Sequence, residues 1–289
     1  MAEFPAAFAS DLHGREDCYH KLFSLVRRER PQAVFLGGDL LPSGSLFFGR
    51  SRSGQAGFLQ EFLMPGLQAL RDSLREEYPR FFLILGNDDA RSEEAAFRGN
   101  EKEGLWQYMH FRKSGFGPYA VYGYSCVPPT PFALKDWERY DVSRFVDPGS
   151  VPPEEGRFSV EVAEEEKGLP TIQDDLLALG GDEPLSMVIF LFHSPPYRTS
   201  LDRAALAGRQ VDGVPLDVHV GSIAIRRFIE ERQPLVTLHG HVHESARLTG
   251  SWREEIGATH CFSAAHDGPE LAVVCFDPAK PEGAIRRLL

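Results

Sequence analysis

Short apolar runs alternate with longer segments of helical periodicity over the first third of the chain, and the same rhythm returns near its end. Phe4–Ser10, Ala33–Leu36, Phe81–Leu85, Met187–Phe192 and Leu235–Leu238 are almost continuously apolar, which predicts strands buried on both faces. Between them, Asp17–Arg30 carries Cys18, Leu22, Leu25 and Val26 at helical spacing, and Pro31 stands just past its end. Phe58–Tyr78 is helical by the same criterion, with Pro65 expected to kink or split it. Ser222 is placed to cap a helix over Ile223–Arg232. Residues 42–57, rich in Gly, Ser and Arg, read as an exposed loop.

The stretch 91–185 is less regular. Strands are expected around Tyr119–Tyr124 and Phe158–Val162, and a capped helix begins near Thr171-Ile172-Gln173-Asp174. The Glu164-Glu165-Glu166 run reads as solvated surface, and the tail from Arg247 as short strands and hairpins. No repeat or long linker interrupts the 289 residues. The pattern predicts one α/β domain over 1–289, with irregular insertions near 40–57 and 91–185.

Composition narrows the function. A hydrophobic share of 42% supports a sizeable core, and a net charge of −11 argues against broad binding to nucleic acid. A small phosphorylated or nucleotide-like substrate stays open, because bound ions can supply local positive charge. The N-terminus shows no secretory pattern, and no apolar stretch approaches the ~20 residues needed to span a membrane. Cys18, Cys126, Cys261 and Cys275 show no Cys-x-x-Cys spacing and are expected as reduced, mostly packed thiols. A cytoplasmic location is expected; the oligomeric state has no signal.

The apolar runs end on metal-ligand residue types: Asp11-Leu12-His13, Gly37-Gly38-Asp39, Gly86-Asn87-Asp88-Asp89, His193-Ser194-Pro195-Pro196 and Gly240-His241-Val242-His243. Asp-x-His at a strand end would put a carboxylate and an imidazole on one face, and His241 and His243 would repeat that geometry. Asp39 has two oxygens to share between ions, whereas Asn87 offers a neutral amide oxygen. Such mixed ligands suit manganese, iron(II), zinc, nickel or cobalt better than calcium or magnesium. Two such ions ~3.5–4 Å apart would turn a bridging water into a hydroxide able to attack phosphorus in line. Each block alone is weak, since Gly-Gly-Asp is usually a turn and Gly-Asn-Asp-Asp an Asx-turn or helix cap. Their order, each behind a buried strand, carries the reading.

This series resembles the calcineurin-like metallophosphoesterase superfamily, with its D-x-H, G-D, G-N-H-E/D, H and G-H-x-H pattern, from Asp11 to His243. The resemblance implies two packed mixed β-sheets flanked by helices, a four-layer αββα fold with two divalent transition metal ions at the strand ends. It implies that Asp11, His13, Asp39 and His243 hold the first ion, and Asp39, Asn87, His193 and His241 the second. One position departs: Asp88 stands where the family usually has the histidine that aids the transition state or leaving group. Asp88 would act as an acid only with its pKa raised well above ~4, by burial or a like charge such as Asp89; a helix cap is the competing role for Asp88 or Asp89. Gly-Asn-x-Asp members resemble small bacterial and archaeal phosphodiesterases, which tilts the expectation toward diesters.

Other residues invite blander readings. His20, His110, His219, His260 and His266 are read as packing or surface, and His239 as facing away from the ions. Arg50, Arg52, Arg91, Arg198 and Arg203 are minor candidates for substrate contact. His219-Val220-Gly221-Ser222 resembles a segment before a helix whose N-terminus could face an anion. The competing functions are a scaffold on the same fold, suggested by the missing histidine, and a nuclease, disfavoured by the acidic balance.

Overall fold

The computed structural model describes residues 5–43, 54–163, 167 and 169–289. Within it the apolar runs become strands: β1 (Ala6–Ala9), β2 (Ala33–Gly37), β3 (Arg80–Ile84), β4 (Gln107–Tyr108), β5 (Arg112–Phe116), β6 (Tyr119–Tyr124) and β7 (Val188–Phe192). A small ribbon follows, β8 (Gln210–Val211) and β9 (Val214–Pro215), then β10 (Val236–His239), β11 (Arg253–Ile256), β12 (Thr259–Ser263), β13 (Ala272–Phe276) and β14 (Ile285–Leu288). Two six-stranded mixed sheets result, ordered β14-β13-β1-β2-β3-β4 and β11-β12-β10-β7-β6-β5. β1 to β4 run parallel in the first, and β6, β7, β10 and β12 run parallel in the second.

Strand alternation decides how the sheets meet. Phe8, Phe35 and Phe82 are register partners across β1, β2 and β3, so they share one face. Val121, Ile189 and Val236 do the same across β6, β7 and β10. All six fall in one buried apolar cluster between the sheets. Phe262 of the second sheet lies 5.7 Å from Phe276 of the first, ring centre to ring centre, and stitches the layers. The opposite faces carry Val34, Leu36 and Leu83 on one sheet and Phe190 and Phe192 on the other, packed under helices. Strands buried on both faces explain why the runs read as continuously apolar.

Helix α1 (Glu16–Glu29) buries Cys18, Leu22, Leu25 and Val26 against the first sheet, with Glu16 and Asp17 at its N-terminus and Arg27 and Arg28 in its last turn. The expected helix over Phe58–Tyr78 changes type along its length. After α2 (Gly54–Phe58), Leu59–Leu63 is a π-turn, and α3 (Met64–Leu74) then starts with Pro65 in its first turn. Pro65 has no N–H to give the carbonyl of Glu61, so the ladder widens ahead of it. The exposed loop read over 42–57 therefore ends early, at Gly54; Arg50 and Arg52 lie outside the described residues, as does the Glu164–Glu166 run.

Short α4 (Glu94–Gly99) leads toward β4. Helix α5 (Ile172–Gly180) has the expected capping box of Thr171 and Asp174, and α6 (Ile223–Arg232) has the Ser222 cap. A last short helix, α7 (Ser245–Thr249), follows the Gly240–His243 block. Phe158–Val162 is not a strand. Among the described residues no ladder forms beside it, and it is anchored instead by Ser159, whose N–H and hydroxyl both donate to Asp136. No helix among the described residues is long and apolar enough to cross a membrane. The four cysteines are free thiols, three of them buried.

The irregular stretch before α5 is held by a buried ion pair. Lys135 and Glu138 are both fully buried, and the Lys135 ammonium donates to Glu138 and to the Thr130 carbonyl. Glu138 also accepts from the Thr130 amide and hydroxyl, and burial pushes its acid up to about 7 against those contacts. Lys135→Met should therefore cost about 3–5 kcal/mol in urea unfolding, because Glu138 is left buried without its cation. Adding Glu138→Gln should recover part of that loss; an unchanged midpoint for Lys135→Met would refute the pair's role.

Candidate metal centre

The parallel strands β1, β2 and β3 end at one rim of the first sheet, and β7 and β10 end at the matching rim of the second. Hydrogen bonds lock the two rims together. His193 Nδ1–H donates to the Gly37 carbonyl at 2.7 Å, and the His241 amide donates to Asp11 Oδ1 at 3.0 Å. Within the first sheet the pairing continues past the strands, with Asp11 N–H on the Gly38 carbonyl and His13 N–H on that of Asp39. This extended register places Asp11 and His13 beside Asp39.

The backbone there is not a strand. Asp11, His13, Asp39 and His241 have φ of 58°, 45°, 52° and 72°, the left-handed region that L-residues avoid. Each such residue costs on the order of 1–3 kcal/mol, and this kind of strain concentrates at functional sites. The expectation that Asp11 and His13 share a face by strand alternation is thus corrected: successive left-handed turns aim them. Gly240 is required for close packing, since a Cβ there would fall 2.0 Å from Ser10 Oγ and 2.7 Å from Asp11 Oδ2. A Cβ on Gly86 would lie 2.3 Å from Asp39 Oδ1.

Asp11, His13, Asp39 and His243 form a cluster whose ligand atoms all lie within 4.8 Å of one another. His13 Nε2 is 3.2 Å from His243 Nε2, and His243 Nε2 is 3.4 Å from Asp11 Oδ1. Beside it, His193 Nε2 lies 3.0 Å from Asn87 Oδ1 and 3.4 Å from Asp39 Oδ2, and the His241 ring packs 5.2 Å from that of His193. Asp39 borders both groups. Asp11 Oδ2 is buried with no hydrogen-bond partner among the described residues. An orphaned carboxylate oxygen among converging oxygen and nitrogen atoms fits a divalent cation.

The electrostatics match. Burial would raise Asp39, but the charges and contacts of His193 and His13 hold it well below the carboxylate range. Burial alone would lower His13 and His193; contact with Asp88 and the charges of Asp39 and Asp11 instead raise His13 to about 9, and Asp39 chiefly does the same for His193. Burial, with the neighbouring His193 charge, drops His241 to about 3, keeping it neutral.

Asp89 is a scaffold. It is fully buried, and its carboxylate accepts from the amides of Leu41 (2.7 Å), Gly86 (2.9 Å) and Leu40 (3.0 Å), tying the loop after β2 to the loop after β3. Trp137 Nε1–H donates to the Asp89 carbonyl and presses the irregular stretch onto the same loop. Neither Asp88 nor Asp89 caps the 3-10 turn Arg91–Glu93 that follows. Asp88 is about a third exposed, with Oδ2 3.3 Å from His13 Nδ1, while Ser43 Oγ stands 2.8 Å from that same nitrogen. Ser43 had no sequence signal, because only the fold brings it to His13.

Other expected residues fall outside the cluster. His239 is buried, with Nδ1 on the Ser194 carbonyl and Nε2 on Thr237 Oγ1, so it faces away as expected. Arg91 lies over the Trp137 ring, and Arg198 over that of Tyr197. The N-terminus of α6 does meet an anion, but from this chain: Asp141 accepts from the amides of Ile223 and Ala224. Asp89→Ala would strand three buried amides. At about 1–3 kcal/mol for each unsatisfied group, it should lower unfolding stability by at least about 3 kcal/mol; a loss under 1 kcal/mol by chemical denaturation would contradict the scaffold role.

Comparison with known proteins bears on the family and the fold. The family model of calcineurin-like phosphoesterases matches residues 4–245. Among solved structures, TT1561 of Thermus thermophilus is 18% identical over 99% of both chains, with a TM-score of 0.55. An archaeal phosphodiesterase (10% identity, 99% of both chains, TM-score 0.43) and a dimetal phosphatase from Danio rerio (14% identity, 95% of both chains, TM-score 0.48) are more distant. No curated protein matches the sequence. With its two packed mixed sheets and the ligand cluster at their rims, this chain belongs to the calcineurin-like phosphoesterase family.

Proposed function

We propose that this protein is a two-ion phosphodiesterase acting on a small phosphorylated or nucleotide-like substrate. Asp11, His13, Asp39 and His243 would hold one ion; Asp39, Asn87, His193 and His241 would hold the other. The observation that carries the reading is Asp39, a buried carboxylate whose Oδ2 lies 3.8 Å from His13 Nε2 and 3.4 Å from His193 Nε2, so that it borders both groups. When bound, such ions lower the pKa of water and offset the charge on a phosphoryl group.

The chain's own residues do the positioning. His193 donates its Nδ1–H to the Gly37 carbonyl, which leaves Nε2 as the ligand nitrogen. Asp88 N–H donates to Asp39 Oδ1 and fixes the shared carboxylate. The Asp88 side chain faces His13 Nδ1, which supports a role in orienting that imidazole more than a role as the acid. An extra carboxylate at the rim also disfavours the dianion of a monoester relative to the monoanion of a diester.

The direct test loads the protein with manganese, nickel or iron(II) and follows bis-p-nitrophenyl phosphate beside p-nitrophenyl phosphate. Faster turnover of the diester is expected, and Asp39→Asn should remove at least about 100-fold of it, the scale felt on losing even an outer partner of a metal ligand. A protein that holds two ions per chain yet cleaves neither ester would falsify the reading and favour a scaffold.

Ion binding should also depend on pH. His13 and His193 sit at about 9, above the free value of ~6.5. Their contribution to the ion-free fold is therefore full below ~6.5 and is lost as pH rises through about 9. Binding needs them neutral, so manganese affinity should climb between pH 6.5 and 9, by up to about tenfold per unit for each proton displaced. Calorimetry in buffers of different ionisation heat should register proton release; flat affinity across that range would contradict the assignment.

A further inference from the structure

We propose that His219, held by Asp202, is the group that gives the departing oxygen its proton; the proposal rests on the hydrolytic reading above. Asp202 is fully buried, an unusual place for a carboxylate that serves only a surface loop. Its Oδ1 accepts from the Thr199 amide (2.9 Å) and from His219 Nδ1–H (2.8 Å). Its Oδ2 accepts from the amides of Arg198 (2.9 Å) and Gly221 (3.2 Å). The carboxylate is pinned from four directions, and it fixes which nitrogen of His219 carries the inward proton. His219 Nε2 has no hydrogen-bond partner among the described residues, and the side chain is a quarter exposed.

The loop bearing this dyad is tied to the segments that follow His193 and His243. Ser222 N–H donates to the Pro195 carbonyl and Tyr197 N–H to that of Ser222, just beyond His193. Ala205 N–H donates to Glu244 Oε1, next to His243, while Ala204 N–H pairs with the Val218 carbonyl beside His219. Arg198, whose amide Asp202 holds, has φ of 55°, so backbone strain extends into this loop. The Tyr197 ring stands edge-on to His219 at 6.1 Å, and Asp217 fixes both the Tyr197 hydroxyl and the His219 amide.

The nearby alternatives are committed elsewhere. Both nitrogens of His239 are used internally, and Asp88, at the position where the family pattern has histidine, faces His13. An imidazole held through Nδ1 by a buried carboxylate can carry a proton at Nε2 and pass it on, the arrangement of general acid–base pairs elsewhere. As the P–O bond to the leaving group breaks, its electron pair leaves with that oxygen. The Nε2 proton of the His219 imidazolium transfers to it, neutral imidazole remains on Asp202, and solvent water restores the proton.

Leaving-group dependence separates this role from a structural one. The ion-loaded protein and His219→Gln are compared on bis-p-nitrophenyl phosphate, whose leaving group departs without help, and on diphenyl phosphate, whose leaving group needs a proton. The variant should lose about 100-fold or more in kcat/KM on diphenyl phosphate and less than about tenfold on the nitrophenyl ester. Asp202→Asn should show the same bias, more weakly. Equal loss on both esters, or loss on neither, overturns the proposal while the hydrolytic reading stands. A wild-type protein inactive on both overturns that reading and this proposal together.

Discussion

One hydrogen bond, from His193 Nδ1–H to the Gly37 carbonyl, joins the end of a strand in one sheet to the end of a strand in the other. It forms only if the sheets pack with their parallel strands ending at the same rim, and the inter-sheet layer of Phe8, Phe35, Ile189 and Leu238 holds them there. The same bond sets the tautomer of His193, so one contact serves packing and chemistry together. Around it, Gly86 and Gly240 remove the Cβ atoms that would push the rims apart. Asp89 then clamps the loops of the first sheet to each other.

Where the sequence was legible, the reason is local. Strand runs such as Val188–Phe192 are apolar because both faces are covered, and α6 begins at Ser222 because its hydroxyl accepts from the Ile225 amide. The ligand blocks were legible because each ends a buried strand. What escaped reading depends on distant partners. Ser43, Trp137 and Asp141 act on residues far away in sequence, at His13, Asp89 and the start of α6. Asp202 and His219 are 17 positions apart and look like ordinary loop residues until the fold joins them. The failure of Phe158–Val162 to pair likewise turns on Asp136, a neighbour that periodicity does not record.

The cluster also explains how so many carboxylates can be buried together. Asp11, Asp39 and Asp89 are each less than a tenth exposed, and three like charges there would repel strongly. Acidic neighbours raise His13 and His193 to about 9 and also raise His243, and burial with the Asp39 charge pushes Asp89 up to about 7. Exchange of those protons for divalent cations would replace several weak pairings by stronger ones at the same positions.

Asp88 shows how one changed residue shifts work elsewhere. The Asp88 carboxylate stands 3.3 Å from His13 Nδ1 and supports that imidazole. A second acceptor, Ser43 Oγ, already reaches the same nitrogen, so His13 is braced on its far side more firmly than a single contact would allow. The rim loses a proton carrier and gains negative charge. Among the described residues, the loop carrying Asp202 and His219 is tied to the segments that follow His193 and His243, so the fold fixes that dyad relative to both.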